Sequence, residues 1–333
     1  MSQTAPPPGS DVPRPLPRRP APRPPAPRAS RPRFAPLDAV WPAVLAALSL
    51  GLSAQAHGFT GNQAAGSLAA AAVVVTLYLL GWRARDRAAG VSAALLAATS
   101  ASFLHGCAFS PMSAGFTLLM VAALFAFVAG SSLAALALAA AATLVRPDGL
   151  LLGLVLMGLT LAQHRKRAIY GAAVFLVPLL AVWSAGIVSG HSYLRLPLFG
   201  FHAGPLLWLG TPAAALLLWL LLPFCAEMTE GLRRARWLPI VLWAVAALVS
   251  ASLLSDTTPT GMVLPLMPLL FALAGGGLSR LLPPLAGEFP NPAGRYALAV
   301  LAVAGMVGLH VRLEPRPAPI VVNTSAANGH RSH

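Results

Sequence analysis

Leu144-Val145-Arg146-Pro147-Asp148-Gly149-Leu150-Leu151 joins two apolar runs, LAALALAAAATLV over 133–145 and LLLGLVLMGLTL over 150–161. A cation, a proline, an anion and a glycine fall together between stretches that carry no charge. A charge at the centre of a bilayer costs at least ~2.5 kcal/mol, whereas a turn at the membrane boundary bears it cheaply. Proline and glycine both break helices. The stretch therefore reads as a charged turn between two membrane helices, and similar apolar runs recur along the chain.

Composition agrees with that reading. The 333 residues are 57% hydrophobic and only 10% charged, with a mean hydropathy of +0.72, whereas an ordinary soluble domain carries ~25% charged residues. Continuous apolar runs are the mark of membrane helices, and a β-barrel would show short alternating strands instead. The fold class expected is all-α, a polytopic transmembrane helical bundle. The net charge of +14 does not point to nucleic acid, because of where it lies. Residues 1–36 hold seven arginines and one acid, and most other arginines sit in short loops between apolar runs. That distribution fits topology and contact with anionic membrane lipid.

Three regions are expected. Residues 1–36 alternate proline with Arg14, Arg18, Arg19, Arg23, Arg28, Arg31 and Arg33. Such a segment forms neither helix nor sheet, and it reads as a disordered, polyproline-II-like cytoplasmic tail rather than a secretory signal. Residues 37–312 form the transmembrane helical domain, and 313–333 a short flexible tail.

The membrane domain divides into about eleven spans, within a range of nine to eleven, by the length rule. They cover approximately 39–56, 65–82, 89–106, 113–129, 131–145, 150–163, 168–188, 204–222, 238–254, 262–280 and 296–312. The run from 113 to 163 reads as three spans, or as spans plus a re-entrant piece. With a cytoplasmic N-terminus, Arg83, Arg85, Arg87, Arg165, Lys166, Arg167, Arg233, Arg234, Arg236, Arg280 and Arg295 fall inside. Arg146, Arg195 and the C-terminal tail then lie outside, a positive-inside distribution expected of a bacterial-type inner (plasma) membrane. Trp41, Trp82 and Trp237 sit at the expected inner boundary, as interfacial aromatics do.

Few residues offer chemistry. Asp86, Glu227 and Glu230 lie among inner arginines and read as their solvated partners, while Asp148 and Asp256 lie on the outer side. His57, His105, His191 and His202 also map there; imidazoles bind divalent metals, but these share no ligand spacing. Cys107 and Cys225 fall near opposite faces, too far apart to pair. Gly149 and Gly153 form a small-residue pair, and Gly275-Gly276-Gly277 is expected to interrupt the tenth span; both read as places where helices approach closely.

From about 90 to 165 the chain resembles the GT-C class of polytopic membrane glycosyltransferases. Many of these carry a Ser-Gly-Met-Glu-Thr-like motif at one helix start, then a Thr-Arg-Pro-Glu/Asp-Gly-Leu-Leu motif. Here Ser110-Pro111-Met112-Ser113-Ala114 precedes Leu144–Leu151 at a similar spacing. Gly261-Met262-Val263-Leu264-Pro265-Leu266-Met267-Pro268 is similar to a late Arg-Tyr-Leu-Leu-Pro-x-x-Pro stretch. The resemblance covers about half of the chain. It also shows departures. The expected first outer loop, His57–Asn62, has no acid where relatives hold a catalytic Asp; Ser113 stands for the motif Glu, and Gly261-Met262 for Arg-Tyr.

The resemblance implies transfer of a sugar from a polyprenyl-phosphate donor on the outer face. That reaction needs a base near the acceptor hydroxyl, and cations or a divalent metal ion at the departing phosphate. Asp148, Asp256 and His57 are the candidates for catalysis, and Arg146 and Arg195 for substrate binding, since guanidinium pairs bidentately with phosphate. The plain structural alternative for Arg146 and Asp148 is an ion pair that caps the turn. Two functions stay open beside each other: an active transferase, and a GT-C-like scaffold or partner subunit without transfer activity. A small-solute transporter is a weaker third, because its spans hold few ionisable groups. Nucleic acid is not an expected partner, and the sequence does not set the oligomeric state.

Overall fold

In lipid every backbone polar group must be satisfied internally, and a helix does so within one segment. Among the described residues of the computed structural model (40–57, 61–189, 211, 214, 216–218, 237–253, 263–287 and 292–313) every regular element is a helix. In chain order they are α1 Val40–His57, α2 Gly61–Ala84, α3 Arg87–Thr99, α4 Ala101–Phe109, α5 Pro111–Val128 and α6 Ser132–Val145. They continue with α7 Gly149–Gln163, α8 Arg165–Ser189, α9 Leu238–Leu253, α10 Leu266–Gly287 and α11 Pro292–Leu313. Residues 1–39 and 314–333 lie outside the described set, as does nearly all of the expected span 204–222.

The chain is an all-α, multi-pass membrane protein. Gln63–Ala84 and Pro111–Val128 are each long and apolar enough to cross a bilayer, and α3 with α4 reaches that length as a bent pair. Other helices hold shorter apolar stretches. At 14 and 15 residues, α6 and α7 are about 21–23 Å long, less than the ~30 Å of hydrocarbon. Buried threonine hydroxyls follow the same solvation rule. Thr117, Thr143 and Thr160 each donate to the carbonyl four residues back, at 2.7, 2.9 and 2.7 Å.

Two of the expected spans need correction. The stretch read as one span over 89–106 is broken at Ser100 and bends by 64°. Ser100 is extended there, and its hydroxyl accepts the Phe103 N–H at 3.2 Å, so it ends α3 and caps α4. The glycine triplet Gly275–Gly277, by contrast, interrupts nothing: α10 runs unbroken through it. A Cβ on Gly275 would lie 2.6 Å from the Ala89 carbonyl oxygen and 2.8 Å from the Ala93 amide nitrogen. The glycine is thus a notch through which α10 meets the backbone of α3, as small residues in membrane helices allow.

Trp237 differs from the interfacial role expected of it. It is buried, with its ring against Gly276. The α5–α6 turn is set by Gly130, whose φ of +90° lies in the left-handed region. Its N–H bonds Phe127 O, and the Ser131 N–H bonds Ala126 O, a Schellman closure that returns the chain along α5.

Candidate functional site

The α6–α7 turn is built by its own four residues. The Arg146 N–H still bonds the Ala142 carbonyl at 2.9 Å, so Arg146 closes α6. Pro147 has no N–H to give, and the amides of Gly149, Leu150 and Leu151 bond the carbonyls of Arg146, Pro147 and Asp148 at 3.0, 2.9 and 3.1 Å. Gly149 is required by close approach: a Cβ there would lie 2.6 Å from the Ala142 carbonyl carbon and 2.7 Å from the Thr143 Cα. Because backbone cannot rotate away, Gly149→Ala should cost about 1–3 kcal/mol. Gly158→Ala, on the same helix with nothing within 4 Å, should leave stability level or raise it slightly. Melting of the two purified variants in detergent checks the contrast; equal shifts would mean that the turn tolerates a side chain.

Arg146 and Asp148 fold toward each other. An Arg146 terminal nitrogen donates to Asp148 Oδ2 at 2.6 Å, and the side chains are only 10% and 17% exposed. The Asp148 carboxylate makes no capping bond to the α7 amides, so the pair shapes the turn without capping the helix. The Arg146 guanidinium carbon lies 5.1 Å above the ring centroid of Phe116, which is fully buried on α5. Cation, anion and aromatic face thus form one cluster, and such a stack adds to the pair's strength where water is scarce.

Phe116 ties this turn to the Ser110 turn. Ser110 and Pro111 open α5, and the Ser110 hydroxyl donates to Ser113 Oγ at 2.8 Å. The first two of the three stretches that carry the family resemblance are thereby linked at one end of the bundle. The late stretch is linked to the same neighbourhood through Leu264, whose side chain fills the space beside Gly106 on α4, just before Ser110. Two helix N-termini, those of α5 and α7, lie at this end, and neither has a side-chain cap bond. Their partial positive charge adds to the field of Arg146.

The remaining candidates stand differently. Arg195 and Asp256 lie outside the described residues, and His57 ends α1 with its side chain outside them. His105 stacks on Phe109, ring centroids 4.4 Å apart; His191 and His202 are outside. Among the described residues no three of His, Cys, Asp and Glu gather as a metal site. Cys107 is buried and free. Sequence reading missed Phe116, since one more aromatic in an apolar helix carries no signal until a cation is found on it.

Crystal structures of one protein show the same arrangement of helices. ArnT from Cupriavidus metallidurans in the apo state superposes with a TM-score of 0.55 at 16% identity, over 80% of this chain and 63% of that one. The same protein bound to undecaprenyl phosphate gives 0.51 at 18%, over 79% and 59%. The chain has a GT-C-like fold. This GT-C-like chain spans about three-fifths of the length of ArnT. No protein-family model and no curated protein sequence matches it.

Proposed function

We propose that this GT-C-like membrane protein is a glycosyltransferase that moves a sugar from a polyprenyl-phosphate donor to an acceptor at the outer face of a bacterial-type inner membrane. The observation that carries the reading is the buried Arg146–Asp148 pair on Phe116, where the first two resembling motifs meet beside two helix N-termini. Such a site suits an anion. When the bond between sugar and phosphate breaks, negative charge develops on the phosphate oxygen, and a fixed guanidinium stabilises it. In this reading Arg146 takes the phosphate, Asp148 positions Arg146, and Arg195 is a second cation. Asp256 and His57 are then the groups left to accept the acceptor's proton. The undecaprenyl phosphate bound to ArnT agrees with a polyprenyl-phosphate ligand.

One observation favours a second reading, an inactive GT-C-like partner subunit. Ser113 occupies the place of the motif glutamate and is engaged with Ser110. Purified protein given a polyprenyl-phosphate sugar and a mixture of lipid and hydroxyl acceptors separates the two. Release of polyprenyl phosphate with glycosylated product supports the transferase. Binding of the donor without release supports the partner subunit, and neither binding nor release overturns both.

A further inference from the structure

Ser110-Pro111-Met112-Ser113 opens α5 as a capping box that lacks its glutamate. In a complete box the serine hydroxyl accepts an amide of the first turn, and a glutamate three residues on reaches back to the serine N–H. Neither bond is made here. The Ser110 N–H is already bonded to the Gly106 carbonyl at 3.0 Å, and the Ser110 hydroxyl donates sideways to Ser113 Oγ at 2.8 Å. Pro111 has no N–H to give. The Ala114 amide bonds the Ser110 carbonyl at 2.9 Å, and the Met112 and Ser113 amides precede it, where a helix has no partner of its own to offer. Ser113 itself is only 8% exposed. Its oxygen accepts the Ser110 proton, and among the described residues its own proton goes to no group. The buried threonines behave otherwise: Thr117, Thr143 and Thr160 each give theirs to the carbonyl four residues back.

Ser113 and Phe116 are three residues apart and share one face of α5. A helical side chain leans over the turn before its own Cα, so the Phe116 ring leans toward Ser113. The Arg146 guanidinium carbon lies 5.1 Å from the centroid of that ring. A buried hydroxyl with a proton to give and a buried guanidinium therefore flank the same aromatic side chain. We propose that Ser113 is a second binding residue for the phosphate held by Arg146, donating its hydroxyl proton to a phosphate oxygen. The bond from Ser110 occupies the Ser113 oxygen and leaves that proton for the ligand. A glutamate at this place would set an ionised carboxylate there, which has no proton to donate. The inference rests on the reading that Arg146 takes a polyprenyl phosphate, and it holds whether the sugar is then transferred or only bound.

The test titrates the purified, delipidated protein with undecaprenyl phosphate and, separately, with undecaprenol, which has the same chain and no phosphate. Bound lipid is counted by native mass spectrometry. The wild type is expected to bind the phosphate form more tightly. Ser113→Ala should weaken that binding by roughly tenfold to a hundredfold, the worth of a hydrogen bond to a charged group, and leave undecaprenol binding as it was. Ser113→Thr keeps the hydroxyl and should keep most of the affinity. If the wild type prefers neither lipid, the reading of Arg146 falls and this proposal with it. If the wild type prefers the phosphate and Ser113→Ala binds it equally well, the role of Ser113 alone is overturned and Arg146 keeps its own. An equal loss for both lipids in Ser113→Ala marks a packing defect and overturns the role as well.

Discussion

Arg146→Met alone is expected to destabilise the protein by about 3 kcal/mol or more, and Arg146→Met with Asp148→Leu to recover most of that loss. The reason is asymmetric. The single change leaves Asp148, 17% exposed and deprived of its 2.6 Å partner, as an uncompensated charge in a poorly hydrated corner. The double change removes both charges, and the methionine can still lie on the Phe116 ring. Thermal melting in one detergent measures all three proteins. If the double variant is as unstable as the single, the turn is held by something other than the ion pair. Under the transferase reading neither variant turns over, so the double variant also separates loss of activity from loss of fold.

Under the transferase reading, Asp148→Asn is expected to lower the transfer rate at least ~100-fold, the cost of misplacing a group in an active site. Asparagine keeps the size of the side chain and an acceptor for Arg146, but it removes the charge that holds the guanidinium in place. The rate must be taken per folded molecule, because loss of the counter-charge also lowers stability. An unchanged rate in purified protein with a polyprenyl-phosphate sugar would sink the role of Asp148.

Much of the helical order is legible in the sequence. The apolar run expected over 113–129 is α5 at 111–128, and those expected over 131–145 and 150–163 are α6 at 132–145 and α7 at 149–163. Membrane helices are legible because they are apolar along their length and end at charge, proline or glycine. The same uniformity hides which face of a helix packs, since lipid and protein both accept leucine and alanine. That is why the break at Ser100 and the continuity of α10 through three glycines escaped the reading. Each is decided by a contact, Ser100 with the Phe103 amide and Gly275 with α3.

For the site, the Arg146–Gly149 turn by itself determined that a charged break stands between two membrane helices, because no lower-cost place exists for a cation and an anion in so apolar a segment. The sequence alone also fixed the class: an all-α membrane chain with a GT-C-type order of motifs. Only the tertiary structure decided that the pair is buried, that it rests on Phe116 of a different helix, and that Arg85 and Asp86 lock onto Ser279. Local chemistry sets where a helix must stop. Which side chains meet depends on packing between segments far apart in the chain, and no local pattern encodes it.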